Sequence, residues 1–155
     1  MKILRKHINK CVEKILVVIM AFMVINVIWQ VFSRYILNSP SSFTDELARY
    51  LMIWLGVMGA AYLSGRNAHV AIDIISARFG KKVKKRLASI VRILIITFVF
   101  LTFIVGGSKL VYITFTLKQY SPALQIPLAL VYIVIPLSGF LIVYYKISDF
   151  FNTET

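Results

Sequence analysis

The chain predicts an all-α integral membrane protein: four transmembrane helices plus a short interfacial amphipathic helix between the second and third spans. Three observations lead there. Hydrophobic residues make up 59% of the sequence and charged residues only 15%, where soluble domains carry about half and a quarter. Four runs approach the roughly 20 apolar residues that a helix needs to cross a bilayer. Those runs lack the two-residue alternation of barrel strands, and lipid offers no hydrogen-bond partner to a free backbone. With 155 residues in all, four spans leave room for a single domain, residues 1–155.

The first span is predicted over about 15–36. A basic stretch from Lys2 to Lys14 precedes it, as in a signal peptide, but no small-residue cleavage site follows, so a retained span is expected. Asn26 and Gln30 interrupt it only mildly. Arg34 closes it, either snorkelling outward or pairing with Asp45 or Glu46 across a short hairpin. Pro40 stops the helix, and Ser41, Ser42 and Thr44 can cap the next one.

The second span is predicted over about 43–64. Asp45 and Glu46 sit in its first turn, where carboxylates complement the exposed backbone amides. The same pair, with Arg34 and Arg49 as mates, could instead form a partner-facing periplasmic rim. No charge follows Arg49 until Arg66. Gly56, Ala60 and Ser64 recur every fourth residue and with Gly59 make a helix-packing stripe, suited equally to a neighbouring span or a partner subunit. Trp29, Trp54 and the tyrosines near span ends read as interfacial anchors or lipid-facing bulk.

Arg66, His69 and Asp73 open the connection that follows. His69, Asp73, Ser76 and Gly80 share one helix face while Val70, Ile74, Ile75 and Phe79 fill the rest, the pattern of a helix lying in the cytoplasmic interface. The third span is predicted over about 87–108, loosened near its end by Gly106 and Gly107. The fourth is predicted over about 125–145, with Pro127 in its first turn and Pro136 kinking its middle.

The net charge of +12 would suit nucleic acid, but it is concentrated in Lys2–Lys14 and Arg66–Arg92, which flank apolar runs. That distribution sets topology instead, with both termini cytoplasmic, and it meets anionic lipid headgroups. Cys11 is the one cysteine and His7 and His69 the only histidines. No disulfide pair, haem-ligating pair within the spans, metal cluster, phosphate loop or Ser/His/Asp set can be assembled. No enzyme, catalytic residue or cofactor is expected. The carboxylates Glu13, Asp45, Glu46, Asp73 and Asp149 all fall at span edges, which disfavours a self-sufficient proton-coupled carrier. A small multidrug or solute carrier working as a homo-oligomer is the alternative, and a membrane anchor for a redox enzyme a third option.

Arg34-Tyr35 closing the first span, Asp45-Glu46-Leu47-Ala48-Arg49 opening the second, then Trp54, Gly56, Gly59-Ala60, Arg66, His69-Val70 and Asp73 form an ordered set. Ser121-Pro122 and Ile126-Pro127 precede the last span. In order and spacing the chain resembles the small membrane subunit of tripartite ATP-independent periplasmic (TRAP) transporters, with Phe43 where the family commonly has Trp. The resemblance covers nearly the whole length and implies a bacterial inner-membrane protein. It implies a non-catalytic scaffold bound tightly to a large sodium-coupled elevator subunit, and a docking surface shared with a periplasmic substrate-binding protein. Some relatives fuse the two membrane subunits; here a separate small subunit is expected. Sialic acid or four-carbon dicarboxylates are the implied cargo, with a lean toward sialic acid.

Overall fold

The computed structural model describes residues 2–39, 41–66 and 81–152. The expected interfacial helix, with His69 and Asp73, lies outside the described residues. Helix α1 spans Lys2–Tyr35 and α2 spans Ser42–Arg66. The third membrane helix comprises α3 (Lys81–Val99), a π-helical run (Phe100–Gly106) and α4 (Gly107–Thr116). The fourth comprises α5 (Leu128–Tyr132) and α6 (Val134–Asn152). Among the described residues, four stretches are long and apolar enough to cross a bilayer, Arg5–Tyr35, Ser42–Arg66, Ser89–Thr116 and Leu128–Asp149.

At 34 residues, α1 is about 51 Å long and exceeds a hydrocarbon core of roughly 30 Å. Its basic first turns therefore project beyond the apolar layer. The third span runs to Thr116, well past the 108 expected from sequence, and Lys109 lies exposed within helix. A single lysine near a span end keeps its stem apolar and its ammonium wet, so it does not stop a helix.

The spans pack in the order first, second, fourth, third: α1 lies on α2, α2 on α6, and α6 on α3 and the π-helical run. This is an open row rather than a closed bundle. Only 6% of the most apolar stretch of the first span is buried within the chain, against 44% for the fourth. The fourth helix is thus the internal member, and the first has few residues buried within the chain. Ala61, Val99 and Ile142 form the buried core where the second, third and fourth spans meet, flanked by Ile95, Phe103, Leu141 and Val143.

Glycines set how closely the last two spans approach. A Cβ on Gly139 would sit 2.8 Å from the Phe103 Cβ, and one on Gly107 would sit 2.8 Å from the Ile135 Cγ2. Each glycine therefore admits the facing helix, and Gly65 admits the Tyr145 ring in the same way. The Thr102 hydroxyl donates to the Phe98 carbonyl at 2.7 Å, a competing bond that loosens the turn before the wide Gly107 N–H to Thr102 carbonyl bond. The loosening expected at Gly106-Gly107 accordingly begins at Phe100. Pro136 has no N–H for the Tyr132 carbonyl, and the helix breaks at Ile133 between α5 and α6.

Candidate functional site

The polar side chains gather at the two ends of the helix row. At the end where α1 finishes and α2 begins, Asn26 donates to the Thr44 carbonyl at 2.8 Å, and Gln30 donates to Asp45. Arg34 reaches Asp45 at 3.7 Å in a largely exposed pair. Arg49 is exposed and joins no ion pair among the described residues. The four rim residues predicted from sequence therefore divide: Arg34 and Asp45 meet, Glu46 turns inward and Arg49 outward.

Glu46 is buried, at 8% exposure. Its Oε2 accepts the backbone N–H of Ala123 at 2.8 Å and of Leu124 at 3.0 Å. Its Oε1 accepts the Tyr50 hydroxyl at 3.0 Å, and the buried Ser121 side chain stands close to this carboxylate. The connection it grips is shaped by its own backbone. Lys118, at φ 48°, ends α4 in a paired motif: its N–H bonds to Phe115 and that of Gln119 to Thr114. Ser121 N–H then donates to Ile126, and Leu128 N–H to Gln119. The turn at 122–124 leaves two amides pointing together, and a carboxylate is what such a pair attracts. Glu46 thus ties the start of the second span to the connection before the fourth.

At the opposite end, Arg5 pairs with Asp149 at 2.5 Å and donates to the Gly65 carbonyl at 2.5 Å. Lys146 donates to the Ser64 carbonyl at 3.1 Å. Both cations thereby satisfy carbonyls of the last turn of α2, where the helix dipole is negative. Tyr145 donates to the Asn9 side chain at 2.6 Å, Tyr62 donates to Glu13 at 3.2 Å, and Arg66 stands over the Tyr62 ring at 5.3 Å. Arg92 is buried and near enough to Lys146 to act on it electrostatically.

Several sequence readings are corrected here. Glu46 and Asp149 do lie at span ends, but both are buried in protein rather than at an open rim. Lys146, a cation near the end of the fourth span, is buried as well. Neighbouring helices supply the hydrogen bonds that make such burial affordable, which no one-dimensional pattern displays. Trp54 is no lipid-facing anchor: its indole N–H donates to the Val131 carbonyl at 3.0 Å, beside the break in the fourth helix. The packing stripe also divides. Among the described residues, nothing lies within 4 Å of a Cβ added at Gly56 or Gly59 and Ala60 is exposed, whereas Ser64 offers its carbonyl to Lys146. The glycines that seat helices within the chain are Gly65, Gly107 and Gly139.

Among the described residues, no three His, Cys, Asp or Glu side chains gather as metal ligands would. What the site does have is a pair of polar clasps that hold helix ends together. Residues 23–154 match the family described as tripartite ATP-independent periplasmic transporters, DctQ component. The chain belongs to this family. It is 31% identical over 145 residues to a Haemophilus influenzae protein named as a TRAP transporter small permease, covering 92% of this chain and 86% of that protein. It is 37% identical over 84 residues to the sialic acid TRAP transporter small permease protein SiaQ of Vibrio cholerae, covering 54% of this chain and 49% of SiaQ. A stretch of 72 residues is 29% identical to the sialic acid TRAP transporter permease protein SiaT of Haemophilus influenzae. That stretch is 46% of this chain and 12% of SiaT. The chain is thus a multi-pass TRAP small permease subunit, with both clasps falling partly or wholly inside the matched region.

Proposed function

We propose that this small permease is a non-catalytic scaffold that holds a large TRAP membrane subunit in the bilayer. The observation that carries this reading is the SiaT similarity: sequence of this kind also occurs as a small part of a much longer permease polypeptide. The two kinds of membrane subunit then belong in one complex, tightly joined, in the bacterial inner membrane with both termini of this chain cytoplasmic. Elevator transport needs a part that does not move, and clasped helix ends suit one. Sodium coupling would reside in the large subunit, and this chain would hold no cofactor. The rim of Arg34, Asp45, Glu46 and Arg49 would face the periplasm. There Arg34, Asp45 and the outward Arg49 would help a substrate-binding protein dock transiently, for organic acid uptake. Sialic acid is the favoured cargo because SiaQ and SiaT carry that substrate in their names.

The outward stripe of α2 is where we place a helix of the large subunit. Met52, Gly56, Ala60 and Leu63 are all exposed at helical spacing, and Gly56 has open space around it. Small residues let a partner backbone approach closely. A mild-detergent pull-down from native membranes tests both statements. The large permease co-purifies with the wild-type chain, and Gly56→Leu weakens its recovery about tenfold while thermal unfolding of the isolated chain is unchanged. Recovery of no multispan partner would refute the scaffold reading, and full recovery with Gly56→Leu would refute the stripe.

A further inference from the structure

Apart from Glu13, the residues lining one face of the first helix have no part in the clasps described above. The outer surface of that helix carries two adjoining hollows, of about 650 and 590 Å³, that share Val17. The first hollow is bounded by Leu16, Val17, Met20, Ala21, Val24 and Ile25 of α1 and by Leu55 of α2. The other is bounded by Lys10, Glu13, Lys14, Val17 and Val18. Together they form one groove with an apolar floor and a basic mouth.

The groove is open to the surroundings. Val17 is 63% and Ile25 65% exposed, and Lys10 and Lys14 are exposed as well. Neither lysine takes part in an ion pair among the described residues. The carboxylate at the mouth is occupied: Glu13 accepts the Tyr62 hydroxyl at 3.2 Å, and Arg66 lies over that ring. Lys6, Lys10 and Lys14 follow one another every fourth residue, so their ammonium groups stand along one side of the helix. Glu13 offsets part of that charge, and Lys6, Lys10 and Lys14 together leave the mouth net positive above an apolar trough.

We infer that this groove holds one anionic phospholipid, with its phosphate between Lys10 and Lys14 and an acyl chain along Val17, Met20, Val24 and Leu55. Length supports the assignment. Lys14 to Ile25 is about 16 Å along the helix, close to the thickness of one leaflet of a roughly 30 Å hydrocarbon core. Charge supports it too, since lysines flanking a span attract anionic headgroups. A partner helix seated along the whole groove would have to bury these lysines or pair them; a phospholipid meets both halves with matching chemistry. The proposal requires only that the chain spans a membrane, and does not depend on its role in transport.

Native mass spectrometry of the full-length chain in mild detergent, titrated with phosphatidylglycerol or phosphatidylethanolamine of identical acyl chains, tests this. Phosphatidylglycerol is retained about tenfold more strongly than phosphatidylethanolamine. Lys10→Gln with Lys14→Gln abolishes the difference, and Lys109→Gln, at an exposed lysine elsewhere, leaves it intact. Ala21→Trp, which fills the trough without touching the charges, lowers retention of both lipids. Equal retention of the two lipids by the wild-type chain, or an undiminished preference in the double lysine variant, would overturn the inference. So would recovery of a complex with the large permease in which the groove is shielded and no phospholipid is retained.

Discussion

Glu46 is the residue on which the two readings of this chain differ most sharply. A proton-coupled carrier needs a buried carboxylate that changes charge, and Glu46 is buried. Its oxygens, however, are committed to Ala123 N–H, Leu124 N–H and the Tyr50 hydroxyl. A structural anchor and a proton carrier respond differently to the same substitution. Glutamine can keep a carbonyl oxygen for the two amides and offer its NH₂ to Tyr50, so Glu46→Gln is expected to retain most of the uptake of the assembled transporter. Glu46→Ala leaves the Ala123 N–H without its carboxylate partner and the Leu124 N–H with only the Ser121 hydroxyl at 3.2 Å, and is expected to lower both thermal stability and recovery of the complex. Uptake assays on the assembled transporter check this pair, and loss of uptake with glutamine at undiminished assembly would contradict the anchoring role. Arg34 and Asp45 are a lesser matter for stability. An exposed pair at 3.7 Å contributes about 0–1 kcal/mol, so it adds little to folding.

At the scale of elements, what could be read from sequence and what could not separate cleanly. Apolar runs and basic flanks mark each span, because bilayer thickness and charge burial act on composition directly. The break near Pro136 and the loosened turn near Gly107 were legible for the same reason: each follows from the residue's own backbone chemistry. Which small residues seat helices was not. Gly56, Gly59, Gly65, Gly107 and Gly139 are the same residue in similar apolar surroundings, and only the packing order distinguishes those facing a neighbour. Asn26 and Gln30 looked like mild interruptions, yet both bond to the start of α2. A polar residue in a span is a signal, and the signal does not name its partner. The crossing at Gly107 and Gly139 yields a sharp expectation. Gly139→Val drives its Cβ into Phe103 and should destabilise the chain by about 1–3 kcal/mol, read as a lower unfolding midpoint in mixed micelles. Gly59→Ala, at an open position, should leave it unchanged; equal effects would mean the third and fourth spans do not meet at these glycines.

For the molecule as a whole, the row of helices explains why a chain of this composition suits assembly. The fourth span is half enclosed by its neighbours, and the first has few residues buried within the chain. Such a shape gives broad contact to lipid and to a second membrane subunit, while the clasps at Glu46 and at Asp149 keep the helix ends from sliding. Transport chemistry would then be the large subunit's. Reconstitution into proteoliposomes tests that division most directly. The chain alone should show no sodium-driven organic acid uptake above empty vesicles. Together with a large permease and a periplasmic binding protein, it should support uptake that falls when the chain is omitted. Uptake by the chain alone, at a rate comparable to the complete system, would contradict the scaffold account.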